Sequence, residues 1–353
     1  MEGAIDISGI RSVLVIKLRH IGDVLLATPT LRALKEATGA RITAVTPAGM
    51  EEMLTLNPSV DEVLPLVRGR GLIYDMKFIA RLRDRKFDLA INMTEGDRGA
   101  VISFLSGARW RIGIDPGGKG FFGKRFLFTH LVRPPRGVHR AVADMEVLAP
   151  LGIKPRDPVV ELFVSPDDEA YVGRVLEEKG VPANAPVAVV HPTSRWLFKC
   201  WEDGSVASVI EYIEGRGVRV AVTSGPDGKE VEKAKKIISL CRTNPLDMTG
   251  ALTLKRLAAL LKRSTLFFGV DTAPMHMAAA VGTPVVALFG PSDHRVWRPF
   301  GKKTVTVVKE KEFPCLPCGK DGCGGTKKSR CIEAITVDDA VAAVEELIGA
   351  GTR

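Results

Sequence analysis

A chain of 353 residues exceeds one ordinary hydrophobic core, which predicts two domains. Its 45% hydrophobic and 26% charged residues are the mix of a soluble globular protein. No apolar run reaches the length of a membrane span, and the short run over residues 13–16 is followed by charge without a cleavage pattern. A cytoplasmic protein is therefore expected.

The net charge of +9 is unevenly placed. Between residues 98 and 140 stand Arg98, Arg109, Arg111, Lys119, Lys124, Arg125, Arg133, Arg136 and Arg140 against Asp115 alone. Such a segment predicts an anionic partner: a phosphorylated substrate, an acidic membrane surface or nucleic acid. A solvated loop is the plain alternative.

In chain order, residues 11–17 read as a buried parallel strand, apolar without alternation. The strand runs into Leu18-Arg19-His20-Ile21-Gly22-Asp23. A helical stretch over 24–37 follows, with Pro29 set either to kink it or to start its regular part. Asp23 thus lies at a strand-to-helix turn, beside a glycine that lets the backbone approach a ligand closely. Taken alone, it reads as a capping aspartate. Strands over 41–46, 60–67 and 87–92, a helix over 74–86 and a strand over 110–114 continue the alternation of a doubly wound α/β domain.

Gly118-Lys119-Gly120-Phe121-Phe122-Gly123 matches the dinucleotide fingerprint G-x-G-x-x-G in letters only. It does not follow the first strand, Lys124-Arg125 stand where a packed helix should begin, and no acidic strand end comes about 20 residues later. It reads as a loop over a site. A helix over 139–151 precedes a linker punctuated by Pro155, Pro158, Pro166, Pro182 and Pro186, with a helix over 167–179 inside it.

The second half restarts the same logic. A strand over 187–190 leads into His191-Pro192-Thr193-Ser194 and on to Lys199-Cys200-Trp201. A helix over 205–214 and a strand over 218–223 then reach Ser224-Gly225-Pro226-Asp227-Gly228, with helices over 229–239 and 254–262 beyond. The stretch from Ser264 to Pro291 is one βαβ unit: an apolar strand, the turn Asp271-Thr272-Ala273-Pro274, a small-residue helix carrying His276, and a second strand. Asp271 or Thr272 suits the N-cap and Pro274 the first helical turn. Backbone N–H groups and the helix dipole make such a strand-to-helix edge a place for anions. An amphipathic helix over 337–348 closes the chain, and a ligand is expected in the cleft between the halves.

Cys315, Cys318, Cys323 and Cys331 form C-x2-C-x4-C-x7-C in a Gly- and Lys-rich loop, while Cys200 and Cys241 stand apart. The first pair has zinc-ligand spacing, but the second gap is short for separate knuckles. A structural metal, reversible disulfides and plain thiols all remain open.

The separated motifs Ile21-Gly22-Asp23-Val24-Leu25 with Pro29, His191-Pro192-Thr193-Ser194 with Lys199-Cys200-Trp201, Ser224-Gly225-Pro226-Asp227, and Asp271 to His276 with Gly282-Thr283-Pro284 and Phe289-Gly290-Pro291 together resemble glycosyltransferase family 9. These are the ADP-heptose:lipopolysaccharide heptosyltransferases, and the cysteine cluster resembles their later, branch-adding, heptosyltransferase III-like members. The resemblance implies a GT-B architecture of two Rossmann-like doubly wound domains facing across a cleft. Residues 1–165 would bind the acceptor and 166–335 the nucleotide sugar, with a helix over 336–353 that could pack back on the N-terminal domain. It implies inverting transfer without a catalytic cofactor.

By the same resemblance, Asp23 is the general base and Lys199 contacts the donor phosphates, with the hydroxyls of Thr193 and Ser194 beside it. Asp227 lies near the nucleoside, and Asp271, Thr272, Ala273 and His276 grip the diphosphate and sugar. Ala273 stands where Gly is frequent and Asp227 where Glu is. Charge and position add Lys17, Arg19, Gly22, Arg98, Arg111, His139 and Arg140 as acceptor contacts. The expected partners are ADP-heptose, an anionic lipopolysaccharide core and the cytoplasmic face of the inner membrane, with no nucleic acid. Cys315, Cys318, Cys323 and Cys331 are the ligands of a structural zinc, if there is one. Two rival readings are a nicotinamide-dependent oxidoreductase with two Rossmann halves and a basic nucleic-acid binder.

Overall fold

The computed structural model describes residues 4–154 and 158–349. It divides into two compact units, Met1–Phe163 and Val164–Arg353. Pro155 of the expected linker and residues 350–353 of the expected closing helix lie outside the described residues.

The first unit holds six parallel strands: β1 (Ser12–Ile16), β2 (Arg41–Pro47), β3 (Glu62–Leu66), β4 (Leu89–Asn92), β5 (Trp110–Ile114) and β6 (His130–Val132). Their order is β3-β2-β1-β4-β5-β6. The central strands are buried on both faces by helices, which is why β1 and β4 read as unbroken apolar runs. The single helix expected over 24–37 is two. Ile21–Leu25 is a short turn of helix, and Thr28–Thr38 is the regular one, with Pro29 in its first turn and Gly39 closing it at φ +62°. The expected helix over 139–151 is α-helical only at Arg140–Asp144 and continues as a 3-10 run, Met145–Leu151, that carries Pro150.

The second unit repeats the winding with β7 (Val187–His191), β8 (Arg219–Ser224), β9 (Leu246–Thr249), β10 (Leu266–Val270), β11 (Val285–Phe289) and β12 (Thr304–Val308). Its order, β12-β11-β10-β7-β8-β9, is the first sheet's order strand for strand. Both are the Rossmann arrangement, in which the first strand of each half pairs with the fourth at a topological switch. Trp201, Phe268, Ile210, Ile332 and Val344 belong to one buried cluster in this unit. The closing helix, Val337–Gly349, packs on β11, β12 and the helix Asp203–Gly215.

The sequence reading passed over β6, β9 and β12, which are short edge strands with little room for a hydrophobic pattern. It also passed over the helix Asp97–Leu105, which was absorbed into the basic segment. Among the described residues no helix is long and apolar enough to cross a membrane.

Gly269 in β10 explains how closely the two switch strands approach. A Cβ there would lie 2.7 Å from the His191 carbonyl oxygen on β7, a backbone atom that cannot swing aside. Gly269→Ala should therefore destabilise the second unit by about 1–3 kcal/mol, the usual cost of overpacking. A lowered thermal midpoint in calorimetry checks this; an unchanged midpoint contradicts it.

Candidate active site

In each unit the turns that leave the switch strands collect polar groups at the C-terminal edge of the sheet. In the first unit, the Leu18 N–H donates to Thr94 Oγ1 at 2.8 Å, which ties the turn after β1 to the turn after β4. Asn92 fixes that second turn, accepting from the Thr94 N–H at 3.1 Å and donating to the Thr94 carbonyl at 3.0 Å. Arg68 reaches over from beyond β3 to donate to the Leu18 carbonyl at 3.2 Å. The turn so braced carries Arg19, exposed, and then Gly22 and Asp23, half-buried in the short helix. Among the described residues nothing is hydrogen-bonded or ion-paired to the Asp23 carboxylate.

Beneath this turn lies a carboxylate that sequence reasoning missed. Asp144 is buried and meets Lys17 Nζ at 2.5 Å and Arg140 Nη2 at 2.7 Å. Lys17 is itself buried, so two expected acceptor contacts are joined to one internal anion. A buried charge needs such partners, and breaking the set by removing one member leaves an uncompensated ion. His139 caps the same helix, its Nδ1 accepting from the Ala141 N–H at 3.2 Å. Asp144 sits mid-segment among apolar residues, and only the arginine four residues before it hinted at a pair.

Part of the rest of the basic segment is neutralised within the unit. Arg98 pairs with Asp75 at 2.8 Å and Arg133 with Asp115 at 2.7 Å. Lys124 pairs with Asp97 at 3.0 Å. Arg111 lies toward the start of β5, away from the ligand edge, and donates to the carbonyls of Leu127 and Ala108, both at 2.8 Å. Burial pushes its pKa below the ordinary arginine value. Arg111 is thus a brace between loops.

In the second unit, β7 ends at His191 and the turn after it carries Thr193, Ser194 and Lys199, and the turn after β10 carries Asp271, Thr272 and Ala273. Lys199 Nζ meets Asp271 Oδ2 at 2.6 Å, bridging the two turns. Thr272 is the N-cap of the helix Ala273–Ala280, yet its side chain makes no capping hydrogen bond. That helix start keeps its N–H groups uncapped by side chains and its dipole turned toward Lys199's turn. His276 is buried one turn further along. Ser194 Oγ accepts from the Trp196 N–H at 3.2 Å, which leaves the hydroxyl proton available to donate.

Thr193 Oγ1 donates to Glu230 Oε2 at 3.0 Å. Glu230 is a buried carboxylate absent from the sequence reading, tucked under Gly225, where a Cβ would lie 2.8 Å from Glu230 Oε1. Asp227, expected near the nucleoside, is exposed and caps the helix Gly228–Leu240 through the Lys229 N–H at 3.0 Å. The acidic group facing Thr193's turn is therefore Glu230. The signal for it was faint: a glutamate three residues past the cap, on the helix face that turns inward.

His191 ends β7, fully buried, with Nδ1 2.9 Å from Thr223 Oγ1. Burial lowers its pKa from 6.5 to about 4. The unfolded chain then binds more protons than the folded one between those values, so its contribution to stability is complete above about pH 6.5 and is lost as the pH falls toward 4. The full loss amounts to roughly 3 kcal/mol. A urea midpoint that drops between pH 7 and pH 5, and drops less in His191→Asn, is the expected result.

The four clustered cysteines are graded in exposure, from exposed Cys315 to buried Cys331. Burial and, to a lesser extent, the neighbouring Cys323 and Cys318 raise the Cys331 thiol to about 11. Among the described residues no group of three or more His, Cys, Asp or Glu side chains converges as metal ligands.

Two Rossmann-like units, the second with a helix start beside a lysine at its switch point, have the architecture of the GT-B fold. The profile of glycosyltransferase family 9 (heptosyltransferase) matches residues 76–328. Lipopolysaccharide heptosyltransferase 3 of Escherichia coli is 31% identical over 344 residues, which is 95% of this chain and 98% of that protein. Among solved structures, the glycosyl transferase family 9 protein from Veillonella parvula superposes with a TM-score of 0.85 at 22% identity, covering 98% of this chain and 99% of that one. E. coli ADP-heptose lps heptosyltransferase II gives a TM-score of 0.77 at 19% identity, over 97% and 100% of the two chains. The chain belongs to glycosyltransferase family 9. Membership displaces both the oxidoreductase and the nucleic-acid readings.

Proposed function

We propose that the protein transfers heptose from ADP-heptose to the inner core of lipopolysaccharide, with inversion at the anomeric carbon. The observation that carries this reading is the near-full-length likeness to a lipopolysaccharide heptosyltransferase 3. The name of the E. coli heptosyltransferase II supports ADP-heptose as donor. In the proposed step an acceptor hydroxyl oxygen attacks the anomeric carbon, the bond from that carbon to the diphosphate breaks, and ADP departs. Asp23 takes the hydroxyl proton; its half-buried carboxylate, without a partner among the described residues, suits that task.

Charge gathering on the leaving diphosphate is met by Lys199, the hydroxyls of Ser194 and Thr272, and the N–H groups at the start of the helix Ala273–Ala280. Lys199 exchanges its Asp271 partner for phosphate, and Asp271 then serves the sugar hydroxyls. His276 supports that helix from inside. Thr193 acts through Glu230, which we place nearer the nucleoside than Asp227. On the acceptor side Arg19 and Gly22 remain direct contacts. Lys17, Arg140 and His139 build the floor below them, Arg98 is held by Asp75, and Arg111 is left out.

No step is routed through a metal, and a zinc on Cys315, Cys318, Cys323 and Cys331 rests on spacing alone. We further place the enzyme at the cytoplasmic face of the inner membrane, where a lipid-anchored acceptor would be presented.

The test is incubation with ADP-heptose and a series of truncated core lipopolysaccharides. The expected result is a product heavier by one heptose and stoichiometric release of ADP. Release of ADP without a glycosylated product, or turnover of another nucleotide sugar in preference, would overturn the proposed substrate pair.

A further inference from the structure

Two segments at the ligand edge of the first unit carry apolar side chains that the core does not use. After β3, the helix Leu72–Arg83 begins with Leu72 (74% exposed), Ile73 (73%) and Met76 on its surface. After β5, the loop that the sequence set over a site carries Phe121, Phe122 (fully exposed) and Phe126. These pieces are tied to a single point after β4, the first turn of the helix Asp97–Leu105. Arg98 there pairs with Asp75 of the first helix at 2.8 Å, and Asp97 pairs with Lys124 of the loop at 3.0 Å. Gly120 packs so close to Asp97 that a Cβ would meet its carboxylate. One helix start thus clamps both apolar tips in place.

The charges around these tips are one-sided. Asp75, Asp97 and Asp115 are each ion-paired within the unit, while Glu95 is exposed without an ion pair among the described residues. Arg70, Lys77 and Lys119 flank the tips without an acidic partner among the described residues, and Arg125 lies near Asp115, which is already paired with Arg133. Exposed aromatic and aliphatic side chains set among unpaired cations match an interface where hydrocarbon lies beneath anionic headgroups.

We propose that this face docks the enzyme on an anionic lipid bilayer, Phe122 and its apolar neighbours entering the headgroup boundary and the flanking cations meeting phosphate. The face shares its edge of the sheet with the Asp23 turn, so docking would present that turn to an acceptor rooted in the same bilayer. The biological sense of the inference rests on the proposed function, but its physical test does not.

The full-length chain would be sedimented with vesicles of phosphatidylcholine containing phosphatidylglycerol and with vesicles of phosphatidylcholine alone. Binding to the mixed vesicles, weakened by salt and weak on the neutral ones, is expected. Phe122→Asp should reduce that binding about tenfold or more, as loss of one buried aromatic implies, with Phe122→Ser in the same direction. Phe104→Ser, at the far end of the clamping helix, should leave it unchanged. Phe122 is fully exposed, so an unaltered thermal midpoint is expected for its variants.

A wild-type protein that stays in the supernatant, or equal losses at residues 104 and 122, would overturn the proposal. So would a dimer in sedimentation velocity that Phe122→Asp dissolves, because the face would then serve a second copy. Transfer to a deacylated, water-soluble core oligosaccharide separates the two readings. Phe122→Asp should retain it, and its absence in the wild type would sink the proposed activity without touching the docking result.

Discussion

Asp23→Asn is expected to lower transfer by about 10²–10⁴-fold, the range over which a positioned general base acts, while the affinity for ADP stays near that of the wild type. The substitution keeps the size of the side chain and the short helix Ile21–Leu25 that carries it. Among the described residues no group is bound to the carboxylate, so none of them loses a partner. Every side chain assigned to the donor lies in the other unit, after β7, β8 or β10. Loss of turnover with intact ADP binding in calorimetry is therefore the signature of a base. Comparable turnover by the variant would remove Asp23 from the chemistry, and a parallel loss of ADP affinity would make it a donor contact.

Lys199→Ala should lower kcat by about 10²–10³-fold, equivalent to about 2.7–4 kcal/mol of barrier, if the lysine meets charge that grows on the leaving diphosphate. The ion pair with Asp271 complicates the experiment in a useful way. Removing Lys199 leaves Asp271, mostly buried, without its counter-ion beside an anion site, so donor affinity should fall as well. Lys199→Ala with Asp271→Asn removes that residual anion and should recover part of the ADP affinity but none of the kcat. A double variant no better than the single in ADP binding would mean that Asp271 does not face the diphosphate.

The winding of both units was legible because buried parallel strands advertise themselves as apolar runs between polar turns. The motifs after β1, β7 and β10 could be placed at strand ends for the same reason. Charge was read less well. Arg111 and Lys124 looked like free cations, but a side chain's partners are set by tertiary neighbours, and these two turn inward to carbonyls and to Asp97. Asp144 and Glu230 were missed for the converse reason: a buried acid in a helix carries no local mark of what it faces. Asp227 was placed correctly at a helix start, where an exposed capping aspartate and a ligand contact are indistinguishable in sequence. The cysteine spacing invited a metal, and spacing alone says nothing about whether thiols converge.

The pairing of β7 with β10 also bears on the order in which the second unit is assembled. A nascent chain meets β7, β8 and β9 first and can pair them side by side, setting His191 against Thr223 and Thr193 against Glu230. Lys199 has no Asp271 to meet, and no helix start stands beside it, until β10 slots in on the other flank of β7. A long loop must close for that step, which makes it a slow one. Intermediates that stall before it would be well folded by most measures and yet hold half a phosphate grip. A donor nucleotide, which favours only the completed sheet, would draw them forward.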